Sequence, residues 1–101
     1  MFSTWSYETD RPLSLEALRN AASKLPESVY RAKGVVYTSD APQRRAVLQV
    51  VGSRVDISLA DEWGARRPET RIVAIGAAGA IEPGPLRDQL EQCLSTAPAA
   101  S

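Results

Sequence analysis

The sequence contains no histidine, one cysteine and no glycine-rich phosphate-binding loop. Histidine and cysteine are the main protein ligands of zinc and related metals, so one cysteine cannot assemble a typical transition-metal site. Nucleotide hydrolysis needs loop amides, a lysine and a hydroxyl around the phosphates, and this combination does not occur in the chain. No pair of a nucleophile and a base can be proposed from spacing either. We therefore expect a chain without catalytic residues, metal site or bound cofactor.

Long apolar runs are also absent. No stretch reaches the roughly 18 consecutive apolar residues of a membrane span, and the first residues lack the basic and apolar regions of a signal peptide. Cys93 is alone, which excludes an intrachain disulfide and gives no sign of an oxidising compartment. Its position between Leu90 and Leu94 predicts a buried small side chain rather than a reactive thiol. These features predict a soluble cytoplasmic protein without a membrane partner.

The charges balance, with twelve basic and twelve acidic residues. This balance argues against nucleic acid as a partner, because such binding depends on neutralising phosphates. The segment from Arg31 to Arg71 holds eight basic and five acidic residues, and a solvated surface is the simpler explanation of that excess. A hydrophobic content of 44% with 24% charged residues predicts one folded globular domain.

The first part of the chain shows a strand pattern and then a helix pattern. Phe2 to Glu8 is rich in aromatic and hydroxyl side chains, which predicts a strand with Trp5 and Tyr7 on one face. Ser14 can cap the helix that follows, and Pro26 ends it. The apolar residues at helical spacing are Leu15, Leu18, Ala22 and Leu25.

Four further strands and a second helix are predicted in the remaining sequence. The strands are Val29–Thr38, Arg45–Val51, Val55–Leu59 and Arg71–Gly76. Short turns at Asp40–Pro42 and Gly52–Ser53 join the first three of these strands, which predicts an antiparallel meander. Asp61–Thr70 is expected to be a polar loop. Pro85 suits the first turn of the second helix, whose core-facing residues would be Leu86, Leu90 and Leu94.

This order of elements predicts an α+β fold. Two helices would cover one face of a mostly antiparallel sheet of four to five strands, which gives a two-layer sandwich of ferredoxin-like appearance. The domain would span residues 1–94, and the small polar residues 95–101 would form a flexible tail.

Six segments occur in the order of a known domain family. They are Phe2–Glu8, Arg11–Leu13, Arg31–Gly34, Leu48–Gly52, Trp63 before Thr70–Gly76, and Leu90–Leu94. Together they resemble the C-terminal domain of the CobW-like P-loop GTPases, and the resemblance covers residues 2–94. Members of that family are tied to metal handling, including cobalt for cobalamin synthesis and zinc allocation.

The resemblance implies that this domain follows a GTPase domain in the full-length protein, which would use GTP and a divalent metal, cobalt or zinc. The family's phosphate loop, its cysteine-rich metal motif and its histidine-rich linker do not occur in this chain. We therefore expect a non-catalytic accessory domain that docks on its own GTPase domain or on a target, such as a metalloprotein or a cobalt-insertion partner. Met1 directly before the first strand favours a fragment cut at the domain boundary over a natural stand-alone domain.

An independent ferredoxin-like module that binds an anionic ligand or nucleic acid is the alternative. Arg31 and Lys33 lie two apart on a predicted strand and share a face, where they could contact a phosphate or an acidic surface. Solvated cations are the simpler explanation of this pair. Gly34 is followed by two valines rather than by the aromatic residues on which RNA bases stack, which disfavours RNA. Gly34 itself marks either a β-bulge, which is favoured, or the close approach of another backbone.

Trp63 and a set of valines complete the candidate interaction residues. Trp63 either packs over the sheet or forms an exposed contact, and the size of its ring favours packing. Both faces of two predicted strands are apolar, although a sheet covered on one side should alternate between apolar and polar residues. Val47, Val51 and either Ile72 or Val73 are therefore expected on the face without helices. That face would dock the GTPase domain, a second copy of the chain, or the loop that carries Trp63.

Overall fold

The computed structural model describes residues 2–79 and 81–95. The strands are β1 (Phe2–Thr9), β2 (Val29–Val36), β3 (Arg44–Val51), β4 (Arg54–Glu62) and β5 (Thr70–Ala77). The helices are α1 (Leu15–Ser23) and α2 (Pro83–Glu91). All strand pairs are antiparallel and form one sheet in the order β1-β5-β2-β3-β4, so β2 is the central strand. The predicted α+β class and the meander of β2, β3 and β4 are confirmed.

Both helices pack on one face of the sheet. Leu18 and Ala22 of α1 and Leu86 and Leu90 of α2 surround a single small apolar space of about 20 Å³, together with side chains of β1, β2, β3 and β5. The strand residues that line this space are Trp5, Ala32, Leu48, Ile72 and Ala74. The alternation that put Trp5 and Tyr7 on one face is therefore confirmed, because both pack in this core.

Helix α1 begins and ends where its sequence signals predict. The Ser14 side chain accepts a hydrogen bond from the backbone N–H of Ala17 at 3.3 Å, which satisfies one of the free amides of the first turn. The helix ends at Ser23 with Lys24 as its C-cap, two residues before Pro26.

Helix α2 has Pro85 in its first turn, as predicted, but it ends before the predicted helix residues Cys93 and Leu94. It begins at Pro83, two residues before Pro85, and ends at Glu91. Cys93 and Leu94 therefore lie in the turn after the helix rather than within it. Cys93 is nevertheless buried, as predicted, and burial raises the pKa of its thiol. Leu94 forms an isolated antiparallel β-bridge with Leu13, so the chain after α2 returns to the segment that precedes α1.

Two further predictions about the strands are wrong. Strand β4 continues past Leu59 to Glu62, so Asp61 and Glu62 belong to an edge strand and not to a loop. Gly34 does not form a bulge, because the register of β2 with both neighbours runs unbroken through it, and the irregularity lies between Val29 and Arg31. A Cβ atom at Gly34 would instead collide with the carbonyl oxygen of Arg71 and lie 2.7 Å from the Cα atom of Ile72. The close approach of another backbone is therefore the correct alternative.

The end of the domain is partly outside the described residues. The backbone N–H of Ser95 donates to the carbonyl of Pro12 at 2.9 Å, which ties the first residue of the predicted tail to the loop before α1. The remainder of the predicted tail, residues 96–101, lies outside the described residues.

A buried tyrosine links the sheet to α2. The Tyr7 hydroxyl donates to Oε2 of Glu91 at 2.8 Å, and Tyr7 is only 5% exposed. Burial raises the pKa of Tyr7 to about 12, and the hydrogen bond to Glu91 and its negative charge act in the same direction. The neutral phenol is therefore the form that the folded domain stabilises.

This tyrosine predicts a loss of stability at alkaline pH. A folded-state pKa raised above its ordinary value near 10 contributes stability below pH 10 that is lost as the pH rises toward 12. We expect the Tyr7 contribution to the free energy of unfolding to fall by about 1.4 kcal/mol per pH unit in this range. Urea unfolding of the wild type and of Tyr7→Phe at several pH values from 9 to 12 measures this term as the difference between the two. If the two free energies fall in parallel, the interpretation of Tyr7 is wrong.

Candidate functional site

The candidate site is the open face of the sheet, meaning the face opposite α1 and α2. In the central strand, Lys33 lies opposite Gln49 of β3 and Val73 of β5. Residues two apart on a strand share a face, so the register identifies the side chains that surround Lys33 on the open face. The set contains Arg31 and Val35 of β2, Val47 and Val51 of β3, and Arg71 and Ile75 of β5.

The register decides between the two β5 residues considered for this face. Val73 shares the open face with Val47 and Val51, whereas Ile72 is 3% exposed and packs in the core. Val47 and Val73 are half-buried, and Val51 is 55% exposed. None of these three valines belongs to the core cluster beneath the helices. The sequence therefore predicted their common position correctly.

Two adjoining shallow depressions occupy the centre of the open face. One, of about 340 Å³, is lined mainly by Val35, Val47 and Val73 with three cationic side chains, those of Lys33, Arg45 and Arg71. The other, of about 290 Å³, is lined by Arg31, Lys33, Gln49 and Val51 with the neighbouring backbone. Lys33 and Gln49 line both depressions. The surface therefore combines an aliphatic floor with positive charge.

The cations at the edges of this surface have acidic partners on neighbouring strands. Arg71 Nε lies 3.2 Å from Oε1 of Glu8, its partner in the register with β1. Arg45 Nη1 donates to Oδ1 of Asp61 at 2.7 Å. Within the described part of the chain, Arg31 and Lys33 have no ion pair. The two predicted cations are thus exposed in the middle of the sheet without a counter-charge.

Asp61 anchors both Arg45 and the turn that follows β4. Arg66 Nη2 donates to its second carboxylate oxygen at 2.6 Å. The hydrogen bond from Arg66, and after it the one from Arg45, lowers the pKa of Asp61 to about 2. This carboxylate stays ionised through the neutral range and is a structural anchor of the turn rather than an acid or a base.

Trp63 lies away from the other five candidate residues. It is 7% exposed, and its ring packs edge-on against Tyr37 with centroids 6.3 Å apart. Its indole N–H is buried and has no hydrogen-bond partner among the described residues. Trp63 lines neither depression, so its loop does not cover the valines of the open face. The packing alternative is the one that the structure supports.

Sequence reasoning missed several residues of this surface. The candidate residues did not include four that line the larger depression, namely Val35, Arg45, Gln49 and Arg71. They also did not include Ile75 of β5, which lies opposite Arg31 of β2. Alternation within each strand groups Val35 with Lys33, Arg45 and Gln49 with Val47, and Arg71 and Ile75 with Val73. Which of these groups lie side by side depends on the register between strands that are distant in sequence. Phe2 and Tyr30 were also missed. They are 68% and 49% exposed and pack edge-on against each other.

The residues of this chain do not fit a bound metal or a nucleotide. Within residues 2–79 and 81–95, no three side chains of histidine, cysteine, aspartate or glutamate lie together as a metal site would require. The complete sequence has no histidine and no phosphate-binding loop. In the same described ranges, no helix is long and apolar enough to cross a bilayer.

Comparison with known proteins places the fold in one family. The profile of the family described as "Cobalamin synthesis protein cobW C-terminal domain" matches residues 2–94. A crystal structure of the Zn(II)-bound YjiA GTPase from E. coli is similar in fold, with a TM-score of 0.76 and 19% sequence identity. A Zn(II)-bound triple mutant of the same GTPase gives a TM-score of 0.77, also at 19% identity.

Each of these structures is matched over 93% of this chain and over 30% of its own length. This chain therefore corresponds to less than a third of those proteins. No curated protein sequence matches it significantly. Because the family profile covers nearly the whole sequence, the chain belongs to the family of CobW C-terminal domains.

Proposed function

We propose that this chain is a non-catalytic accessory domain of a CobW-like metal-handling GTPase, with a role in cobalamin synthesis or metal allocation. In this proposal the open face docks on the nucleotide domain of that protein or on a target metalloprotein. Family membership and the fold shared with a Zn(II)-bound GTPase support it. GTP and the divalent metal would be held by the nucleotide domain, since the residues of this chain fit neither.

The observation that carries this proposal is the aliphatic character of the open face. Val51 is 55% exposed, and Val47 and Val73 are exposed in part on the same side of the sheet. Burying a side chain of this size completely contributes about 1.5 to 3 kcal/mol, and these valines would gain a fraction of that each. A soluble domain leaves such a surface uncovered where it meets a partner.

The size of the open face suits a domain contact. Five strands spaced about 4.8 Å apart, each about eight residues long at about 3.3 Å per residue, present a face of roughly 24 by 26 Å. That is a flat area of about 600 Å², which does not count the extra surface of protruding side chains. A stable interface buries about 800 Å² of accessible surface on each partner. The flat area of the open face is somewhat below that value, so a stable domain contact would also include side chains at the rim of the sheet.

The proposal predicts a docking interaction that maps to the open face. We expect the isotopically labelled chain to bind the separately produced nucleotide domain of its full-length protein, with NMR shifts at Val47, Val51 and Val73 and not in α1 or α2. Each titration would be run with GDP and with a non-hydrolysable GTP analogue, in the presence of magnesium. The double variant Val47→Thr with Val73→Thr should weaken binding about tenfold, because two apolar contacts become polar.

Leu59→Thr is the matched control for this experiment. Leu59 is an exposed aliphatic residue, 43% exposed, and it pairs with Ala46, so it lies on the helix side of the sheet. We expect it to leave binding unchanged. Shifts confined to the helices, or no binding with either nucleotide, would rule out docking through the open face. Calorimetry of the chain alone with GTP is the second control and should show no heat of binding.

A homodimer is the second candidate. The end of the sheet where β1 and β2 begin and β3 ends exposes three large apolar side chains, those of Phe2, Tyr30 and Val51. This aromatic patch would favour self-association of the isolated chain. Light scattering across a concentration series distinguishes it from docking, because only self-association raises the mass of the chain by itself.

A further inference from the structure

The central strand carries two cations that no acid in residues 2–79 or 81–95 pairs with. Arg31 lies opposite Val51 of β3 and Ile75 of β5, and Lys33 lies opposite Gln49 and Val73. All four neighbours are uncharged. Cross-strand neighbours of opposite charge stabilise a sheet, and neither Arg31 nor Lys33 has such a neighbour at these four positions.

Three of the four cations on strands β3 to β5 are paired with an acid. Arg71 is paired with Glu8, and Arg45 with Asp61. Arg54 Nε lies 3.4 Å from Oδ2 of Asp56, two residues further along the same edge strand, β4. Asp56 lies opposite Gln49, one strand further from Lys33, and is already engaged by Arg54. Arg44 of β3 has no ion pair either, but its Nε donates to the carbonyl of Ala60 at 2.8 Å. Among the described strand residues, Arg31 and Lys33 are therefore the cations with neither an ion pair nor a side-chain hydrogen bond.

The pair also lies close enough to act on one ligand. Two residues apart on a strand correspond to about 6.6 Å along the sheet, so Arg31 and Lys33 repel each other in the absence of an anion. A local arrangement that costs stability without a compensating contact inside the domain is typical of a binding surface.

We infer that the centre of the open face is a binding site for an acidic protein segment that also carries aliphatic side chains. Carboxylates of the segment would bind Arg31 and Lys33, and the Arg31 guanidinium can bind one carboxylate through two N–H groups. An aliphatic side chain would lie on Val35, Val47 and Val73, in the depression that adjoins Lys33. This inference deepens the proposed function and rests on it for the choice of face, since it names the chemistry of the docking partner.

Two features favour a protein carboxylate over a phosphate or a nucleic acid. Strand β2 is hydrogen-bonded on both sides, so its backbone amides are already used and cannot cradle a phosphate. No aromatic side chain lines either depression, and single-stranded nucleic acids depend on aromatic rings for stacking. The aliphatic floor suits a leucine or valine side chain better than either of these ligands.

The test uses fluorescein-labelled peptides as probes of the isolated chain. One peptide contains glutamate, leucine and serine, a second replaces its leucines by serine, and a third replaces its glutamates by lysine. Fluorescence anisotropy should show binding of the first peptide at low salt, binding at least threefold weaker for the second, and none for the third. Oligothymidylate and inorganic phosphate are tested as competitors.

Charge-neutral variants identify the residues responsible. We expect Arg31→Gln with Lys33→Gln to weaken peptide binding about tenfold in combination, because two ion pairs with the peptide are lost. Arg19→Gln with Lys24→Gln is the matched control, because it removes the same two charges from exposed positions at α1. Equal effects of the two double variants would show only non-specific attraction and would overturn the inference.

Stability and competition provide the remaining outcomes. Neutralising Arg31 and Lys33 should leave the thermal unfolding midpoint unchanged or raise it, because no acid among the described residues lies opposite them in the sheet. A lower midpoint would mean that the pair is structural, and tighter binding of oligothymidylate or phosphate than of the acidic peptide would mean a different ligand. Either result overturns the inference. If the nucleotide domain binds and the acidic peptide does not, this inference fails and the proposed function stands. If the acidic peptide binds and the nucleotide domain does not, only the proposed function is rejected.

Discussion

Gly34→Ala is expected to destabilise the domain by about 3 kcal/mol or more, a large part of the 5 to 15 kcal/mol that stabilises a typical domain. The added Cβ would collide with the carbonyl oxygen of Arg71 and would lie 2.7 Å from Ile72 Cα and 2.9 Å from the Arg71 carbonyl carbon. All three are backbone atoms, so no side-chain rotation relieves the contact. The β2–β5 pair must separate, and it lies in the middle of the sheet.

The matched control is the same substitution at another glycine. A Cβ at Gly84 in the first turn of α2 meets no atom within 4 Å. Alanine restricts the unfolded chain more than glycine does and favours the helix, but the ring of Pro85 crowds a preceding Cβ in the helical conformation, so Gly84→Ala should change the free energy of unfolding by no more than about 1 kcal/mol in either direction. Urea unfolding followed by circular dichroism measures both variants. A loss below about 1 kcal/mol for Gly34→Ala would show that the strands adjust to the extra carbon, contrary to the geometry.

Gly34 also illustrates where sequence reasoning about this fold stops. A glycine inside a strand indicates either a bulge or a close backbone approach, and local sequence does not distinguish them. The partner that comes close is β5, which begins thirty-six residues after Gly34 and inserts between β1 and β2. The decisive contact is therefore long-range. The bulge was the favoured alternative, and it is wrong for this reason.

Local signals were sufficient where local physics determines the structure. Ser14 and Pro26 bracket α1 because capping and the missing proline N–H act within one turn. They were insufficient for the end of β4, where Asp61 and Glu62 have low strand propensity. These two residues continue the strand because β3 offers a partner, with Arg44 opposite Glu62 and Arg45 bound to Asp61.

The candidate site was predictable in part for the same reason. Alternation along β2 and β3 placed Arg31 with Lys33 and Val47 with Val51, and these pairs are correct. The register between strands, which brings Val73 beside Lys33 and leaves Arg31 without an acid, follows from tertiary structure. The charge of the surface could be read from the sequence, but the absence of partners for its two central cations could not.

Leu18→Ala is expected to cost about 3 to 5 kcal/mol of unfolding free energy. Leu18 is fully buried and, with residues of α2 and four strands, surrounds the apolar space between helices and sheet. Its neighbours there include Ala22, Ala32 and Ala74, whose methyl groups cannot extend into the vacated volume. The cavity should therefore persist, which places the variant in the upper part of the range measured for such truncations.

Leu59→Ala removes the same atoms from an exposed position and should cost less than about 1 kcal/mol. The two variants are compared by urea unfolding, with an unchanged slope against denaturant as the sign that both unfold in two states. Because Leu18 lies on the helix side of the sheet, its truncation should leave binding at the open face intact below the melting transition. Equal losses for the two leucines, or lost binding by a Leu18→Ala domain that is still folded, would contradict the separation of a structural helix face from an interacting open face.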